Sequence, residues 1–407
     1  MSAPGPRLDD ARRADWLRLI RSDNVGPRTF RALLNRFGSA RAALDALPSL
    51  TKTGGKPIRV ADAGEVEREL EAARRIGVRF VALGEPDYPA LLREVADAPP
   101  MLALRGATGA LRRESAAIVG SRNASALGLA MTQRLAQGLG QGGYSVVSGL
   151  ARGVDAAAHR AALNTGTVAV LAGGHRNIYP PEHERLVEEI VEAGGAVVSE
   201  MPLGWEARGR DFPRRNRIVS GLSLGVVVVE AARRSGSLIT ARFAAEQGRE
   251  VFAVPGHPLD PRAEGPNDLI ADGATMCRDA AQLVAALDAM KGEPRRDLFA
   301  QDSREPALAP LWDEMDGYDA DLPAASLDFE FDEPAPPALR PDGAPVWGTE
   351  AQAAILALLG PSPAALDEVL RLAALPAASA RAALVELEMA GRILRHDGGL
   401  ISRRPDA

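Results

Sequence analysis

Cysteine occurs once in the 407 residues, at Cys277, so no disulfide can close within the chain and the usage fits a reducing compartment. No run of about 18 uninterrupted apolar residues occurs, which argues against a membrane span. Residues 1–15 hold no apolar core of the kind a secretory signal needs. A soluble cytoplasmic protein is expected. Histidine is scarce, and none of His159, His175, His183, His257 and His396 stands in a metal-ligand spacing such as H-E-x-x-H. There is no G-x-S-x-G elbow and no phosphate-binding P-loop. These absences leave a protein expected to have no metal, no cofactor and no catalytic residues.

Lysine is nearly missing too, standing only at Lys52, Lys56 and Lys291. The basic charge is therefore almost all arginine, which suits phosphate forks and stacking on bases. A GC-rich genome produces the same bias. The net charge of −6 taken whole argues against a nucleic-acid partner. Its distribution weakens that objection. Residues 291–345 hold 14 acidic and 5 basic side chains, which leaves the other 352 residues at +3.

The length predicts two or three domains. Residues 1–75 read as a small helical unit of the SAM-like or helix–hairpin–helix kind. Trp16, Leu17, Leu19 and Ile20 precede the turn Asn24-Val25-Gly26-Pro27. Phe30, Leu33, Leu34 and Phe37 then recur at helical spacing up to Gly38. Such a hairpin can hold a phosphate on its turn amides, or simply be a packing module. A connecting stretch follows, broken by Tyr88-Pro89 and Pro99-Pro100.

From about residue 115 short β-branched runs alternate with helical segments. The runs are Ala116–Val119, Ser145–Val147, Val168–Leu171, Ala196–Val198, Val226–Val229 and Val251–Val254. This predicts an α/β domain over 76–290, a Rossmann-like doubly wound parallel sheet covered on both faces. Residues 291–345, acidic and proline-rich without period, predict a flexible linker. Residues 346–407 predict three helices and a hairpin around Asp397-Gly398-Gly399, a winged-helix-like domain.

Four segments carry the candidate chemistry. Gly120-Ser121-Arg122 follows the first strand of the sheet, where ligands bind in doubly wound folds. Gly120 lets backbone approach an anion, Ser121 can cap the next helix, and Arg122 can fork onto phosphate. The G-x-G-x-x-G fingerprint is absent, which disfavours a nicotinamide cofactor. Gly149, Arg152 and Gly153 form a second such turn, in which Asp155 can cap the helix that holds His159. Phe212-Pro213-Arg214-Arg215-Asn216-Arg217 sets an aromatic beside three arginines, the combination that single strands need for stacking and backbone tracking. Ser235-Gly236-Ser237 offers two hydroxyls and free amides at a helix start. Each segment read alone is equally a plain βα turn, a solvated basic stretch or an ordinary cap.

Taken in this order, Gly120-Ser121-Arg122, the run from Ser148 to Asp155, Phe212 to Arg217 and Ser235 to Thr240 resemble the DprA/Smf family of DNA-processing proteins. Pro255-Gly256 and the run from Gly265 to Ile270 are similar to that family as well. The resemblance is firm over about residues 85–290 and looser in the flanking units. It implies a Rossmann-like domain that binds single-stranded DNA, dimerises, and hands incoming DNA to the recombinase RecA in natural transformation. It implies DNA contacts from Ser121, Arg122, Phe212, Arg214, Arg215, Asn216 and Arg217. The loop from Gly174 to His183 departs from the family, which often has Leu-Asp at His175-Arg176 and Asn at His183, and this puts contacts from that loop in doubt.

In the last domain Ala378–Ala390 carries Arg381 against Glu386 and Glu388, a poor match to a DNA groove. A protein-binding or regulatory role is expected there. The alternative to a DNA-binding mediator is a nucleotide-binding enzyme that holds one phosphate in the same glycine turns.

Overall fold

The structure is a computed structural model that describes residues 7–50, 58–291, 349–396 and 398–404. Four helices make the first unit: α1 (Asp10–Arg21), α2 (Pro27–Phe37), α3 (Ala40–Ala46) and α4 (Ala63–Arg75). Asp9, Ser39 and Asp62 accept backbone N–H groups at the starts of α1, α3 and α4, and Pro27 opens α2. The turn between α1 and α2 brings Leu19, Phe30, Leu33, Leu44 and Leu47 into one core, with Trp16 edge-on to Phe30 at 5.0 Å. The opposite side of α1 is fixed to the sheet, where Leu17 packs with Val66, Phe80 and Met101.

The central sheet starts with β1 (Val78–Ala82), a short α5 (Ala90–Arg93), β2 (Met101–Gly106) and a short α6 (Gly109–Arg112). It continues with β3 (Ser115–Val119), α7 (Ala126–Gln141), β4 (Ser145–Ser148), α8 (Val154–Ala162) and β5 (Thr167–Val170). Then come α9 (Glu184–Glu192), β6 (Ala196–Ser199), α10 (Asp211–Gly221), β7 (Gly225–Val228) and α11 (Gly236–Glu246). The last part is β8 (Glu250–Ala253), α12 (Glu264–Ala271), β9 (Thr275–Met276) and α13 (Ala280–Ala289). The strand order is β1-β2-β6-β5-β4-β3-β7-β8-β9.

The six apolar runs are β3 to β8, all parallel, buried between one cluster around Val119, Val147 and Val228 and another around Ile118, Leu135 and Phe252. The stretch read as a connector holds β1 and β2, which extend the sheet antiparallel beyond β6. The prolines at 89, 99 and 100 fall between these strands, so they bound the strands and do not exclude them.

β3 pairs with β4 on one side and with β7 on the other. The chain reverses its direction of sheet growth there, so the carboxyl ends of β3, β4 and β7 frame the crevice where such folds bind ligands.

The last domain has α14 (Thr349–Leu358), β10 (Ala364–Ala365), α15 (Leu366–Ala373), α16 (Ala377–Met389), β11 (Ile393–His396) and β12 (Leu400–Arg403), with sheet order β10-β12-β11, a winged helix. Its core of Ile355, Leu359, Val369, Leu384 and Ile401 takes in Ala126 from the first turn of α7. Arg262, steadied by Asp260, donates to the carbonyls of Ala357 at 2.9 Å and Leu359 at 2.8 Å. An arginine at a helix C-terminus satisfies carbonyls that the helix itself cannot. The linker expected over 291–345 lies, Lys291 excepted, outside the described residues. Among those described, no helix is long and apolar enough to cross a membrane.

Arg262→Ala is expected to release the winged helix while both units stay folded. Hydrogen exchange should rise at the end of α14 and around Ala126 and stay unchanged in β3 to β7. Undiminished protection at Ala126 would show that the docking rests on other contacts.

Candidate functional site

The four segments meet at the carboxyl edge of the sheet. Ser121 N donates to Glu230 O at 2.6 Å, and Val154 N donates to Ser121 O at 3.2 Å. Gly153 has φ 69°, and a β-carbon there would lie 2.3 Å from Ser121 O, so this close crossing of two turns admits only glycine. Ser237 Oγ donates to Gly120 O at 2.8 Å, and Asn216 Nδ2 donates to Gly236 O at 3.1 Å. Gly149 faces Arg215 so closely that a β-carbon would fall 1.5 Å from a guanidinium nitrogen.

The segment from Phe212 to Arg217 is helical. It forms the first two turns of α10, whose buried Asp211 accepts from Trp205 Nε1 at 2.8 Å and Arg208 N at 2.9 Å.

The backbone donors at the start of α7 and after β4 are already engaged. Glu230 takes Ser125 N at 2.8 Å and Ser125 Oγ at 2.5 Å, placing a carboxylate at the start of α7. Ser125, not Ser121, caps that helix by accepting Gly128 N at 3.0 Å; the Ser121 hydroxyl accepts Asn123 N at 3.1 Å. Asp155 does not cap α8. Its carboxylate reaches back to Gly149 N at 3.0 Å and Ala151 N at 3.2 Å, and Gly153 takes the cap position. Burial raises the pKa of both Glu230 and Asp155.

Guanidiniums and rings are what the edge presents. Arg215 is only 7% exposed, and its Nε has no hydrogen-bond partner among the described residues. Burial pushes its pKa down to about 10, Asp155 opposes this and Arg122 adds to it. At neutral pH the group is still a cation. Arg122 is exposed, with its guanidinium 5.5 Å from the Phe212 ring centre. Phe212 also meets Tyr179 edge-on at 5.3 Å.

Tyr179 sits in the loop whose contacts the sequence left in doubt, and its role was missed there. The only signal was an aromatic next to Pro180 in a strand-to-helix connection. Arg152 pairs with Glu182 from the same loop. Arg214 is half-buried. Arg217 lies apart from this cluster: it is 1% exposed, paired with Glu200, and held by Asp97 through Oδ2 at 3.5 Å and its carbonyl at 2.7 Å. It fastens α10 to the β1–β2 side of the domain.

No group of three or more His, Cys, Asp or Glu that could hold a metal occurs among the described residues. His159 is fully buried behind the edge, with Nδ1 2.7 Å from Thr167 Oγ1. Burial, followed by His183, Arg215 and Arg160, lowers its pKa to about 3.

The fold and site define an α/β protein whose ligand edge offers arginines and aromatic rings in place of a phosphate cradle. A family model described as DNA recombination-mediator protein A matches residues 79–288. A DprA-like N-terminal HHH domain matches residues 10–72, and a DprA winged helix domain matches 333–399. Protein Smf of Synechocystis is 33% identical over 98% of this chain and 100% of its own length. Protein Smf of Escherichia coli is 44% identical over 54% of this chain, a match spanning 61% of that relative. The crystal structure of DprA from Streptococcus pneumoniae superimposes with TM-score 0.56 and 28% identity, covering 69% of this chain and 98% of that one. The chain belongs to the DprA/Smf family of DNA-processing recombination mediators.

Two outcomes follow from the buried groups. Arg217→Ala strands two carboxylates, so a urea titration should find it about 3–5 kcal/mol less stable than wild type; a loss below about 1 kcal/mol would mean the pairs are not held in solution. His159 is neutral when folded and protonates once unfolded. Its contribution is therefore present above about pH 6.5 and is lost as pH falls toward 3. His159→Gln should be destabilised most at pH 7.5, and the gap to wild type should narrow by up to about 1.4 kcal/mol per unit below pH 6.5. A constant gap between pH 7.5 and 5 would rule this out.

Proposed function

We propose that the chain binds single-stranded DNA along the carboxyl edge of its sheet, protects it and helps to load the recombinase RecA during natural transformation. It acts in the cytoplasm, without catalysis, as a homodimer joined through the Rossmann-like domain. The units are the helical domain over 1–75, the DNA-binding domain over 76–290, the linker over 291–345 and the winged helix over 346–407. The last is assigned a protein-binding or regulatory role.

The observation that carries this reading is the ring pair Phe212–Tyr179 flanked by Arg122 and the buried cation Arg215. Bases stack on the exposed faces of such rings, worth about 1–3 kcal/mol each whatever the base. Phosphates follow the guanidiniums, Arg122 first because it is exposed and Arg215 behind it. Asn216, Ser235, Gly236 and Ser237 hold α10 and α11 against Gly120 and so position the path. Arg217 supports α10 and takes no part in contact. The alternative, an enzyme holding one nucleotide, loses support because Glu230 and Asp155 occupy the donors it would use.

Fluorescence anisotropy with labelled oligo-dT of increasing length tests this. Wild type should bind only beyond a minimum length and weaken steeply with salt. Phe212→Ala should lose about 5- to 150-fold in affinity, from the stacking of one base, with its salt slope unchanged. Arg122→Ala should lose affinity and flatten the slope by about 0.7, the value for one phosphate on a single strand. Saturation by a mononucleotide with no binding of oligomers would hand the site to the enzyme reading.

A further inference from the structure

Among the ties of the loop that carries Tyr179 to the body are three at its Tyr179–His183 end. Tyr179 meets Phe212, His183 Nδ1 lies 2.8 Å from Leu150 O, and the Glu182 carboxylate accepts a charge-assisted hydrogen bond from Arg152 Nε. The third tie occupies a cation that stands beside the proposed DNA path. Resting on that reading, we infer that Glu182 is an internal competitor for Arg152. It holds the guanidinium in the free protein and yields it to a strand phosphate, so this end of the groove answers to a polynucleotide anchored nearby and not to a lone phosphate.

Arg152 belongs to the groove by its backbone. The next residue, Gly153, packs on the carbonyls of Ser121 and Arg122, so the turns bearing Arg122 and Arg152 are in contact. Hydrogen bonding to Glu182 holds the Arg152 guanidinium above its ordinary range, and nearby Tyr179 adds to this. Arg152 is thus held on its own counter-ion close enough to Tyr179 to feel it electrostatically.

The arginines differ in how readily they can be released. Arg217 is locked, because its side chain is 2% exposed and those of Asp97 and Glu200 16% and 15%. Arg215 is buried, and the charge of Asp155, itself tied to two amides, acts on it. The Arg152 and Glu182 side chains are 37% and 46% exposed, and ion pairs that meet water contribute little stability. A phosphate offers the guanidinium the same kind of acceptor as the carboxylate. A free phosphate must win this exchange from dilute solution. A strand held by Arg122 and Phe212 presents its next phosphate at high effective concentration. Once displaced, the exposed Glu182 can turn into water and avoid the arriving charge.

The test is anisotropy titration with labelled oligo-dT over a series of salt concentrations, on wild type, Glu182→Gln, Arg152→Ala and the double variant, with inorganic phosphate as competitor. Glu182→Gln should bind several-fold more tightly at low salt with its salt slope unchanged, because Arg152 ends on the same strand phosphate in both proteins. The gain should vanish when Arg152→Ala is added. Inorganic phosphate should displace DNA more readily from Glu182→Gln than from wild type.

Equal tightening in the Arg152→Ala background reduces the effect to the loss of one negative charge and overturns the inference. Weaker binding by Glu182→Gln also overturns it, because the pair then serves as a strut for Tyr179. An indifferent Glu182→Gln in a protein that still depends on Phe212 overturns this inference alone. A wild type that binds no oligomer at any length overturns the DNA reading with it.

Discussion

The buried carboxylate of Asp155 accepts the amides of Gly149 and Ala151 and acts as a counter-charge on Arg215, and the shape of the ligand edge depends on that placement. It bends the turn after β4 back on itself. It also gives Arg215 the counter-charge without which a buried guanidinium is unsustainable. Gly149 has no side chain because the guanidinium stands where one would be. Glu230 does the corresponding work at the start of α7. The two acids supply from within the negative charge that a dinucleotide phosphate supplies in related folds. The edge that remains attracts anions through side chains.

Charge on this surface is graded by burial. Arg122 reaches solvent, Arg152 is shared with a carboxylate, Arg215 lies beneath the surface, and Arg217 is sealed in ion pairs. Coulomb energy grows as water is excluded, and so does the cost of letting a partner go. The outer arginines can therefore track a moving backbone, while the inner ones keep the helix that carries them in place.

Much of this was legible in the sequence, and the gaps have physical causes. The strands β3 to β8 showed themselves as apolar runs because a parallel sheet buried on both faces leaves them no polar side. β1 and β2 were hidden because the chain between them holds no long helix to set a rhythm. The segments that the structure brings together at the sheet edge were singled out, but the local contacts within them were not. Read as one basic stretch, Arg215 and Arg217 were equivalent. Once the segment is a helix, two residues apart means nearly opposite faces, so one turns to the groove and the other to the sheet. Ser121 and Asp155 looked like helix caps because their residue types suit caps. Which amide a carboxylate takes depends on how two turns cross, and that is a tertiary fact. Tyr179 could not be assigned without its neighbour across the loop.

The docking of the winged helix differs in kind from these contacts. Arg262 grips the carbonyls of Ala357 and Leu359, groups that every residue type carries. Its recognition is blind to the side chains at that helix end. Substitutions at Ala357 need not loosen this grip, whereas Gly360 must stay bare, because a β-carbon there would fall 2.6 Å from Asp260 Oδ2. The central domain thus holds the attached unit in part by backbone alone, and that part of the docking places no demand on which side chains the unit carries.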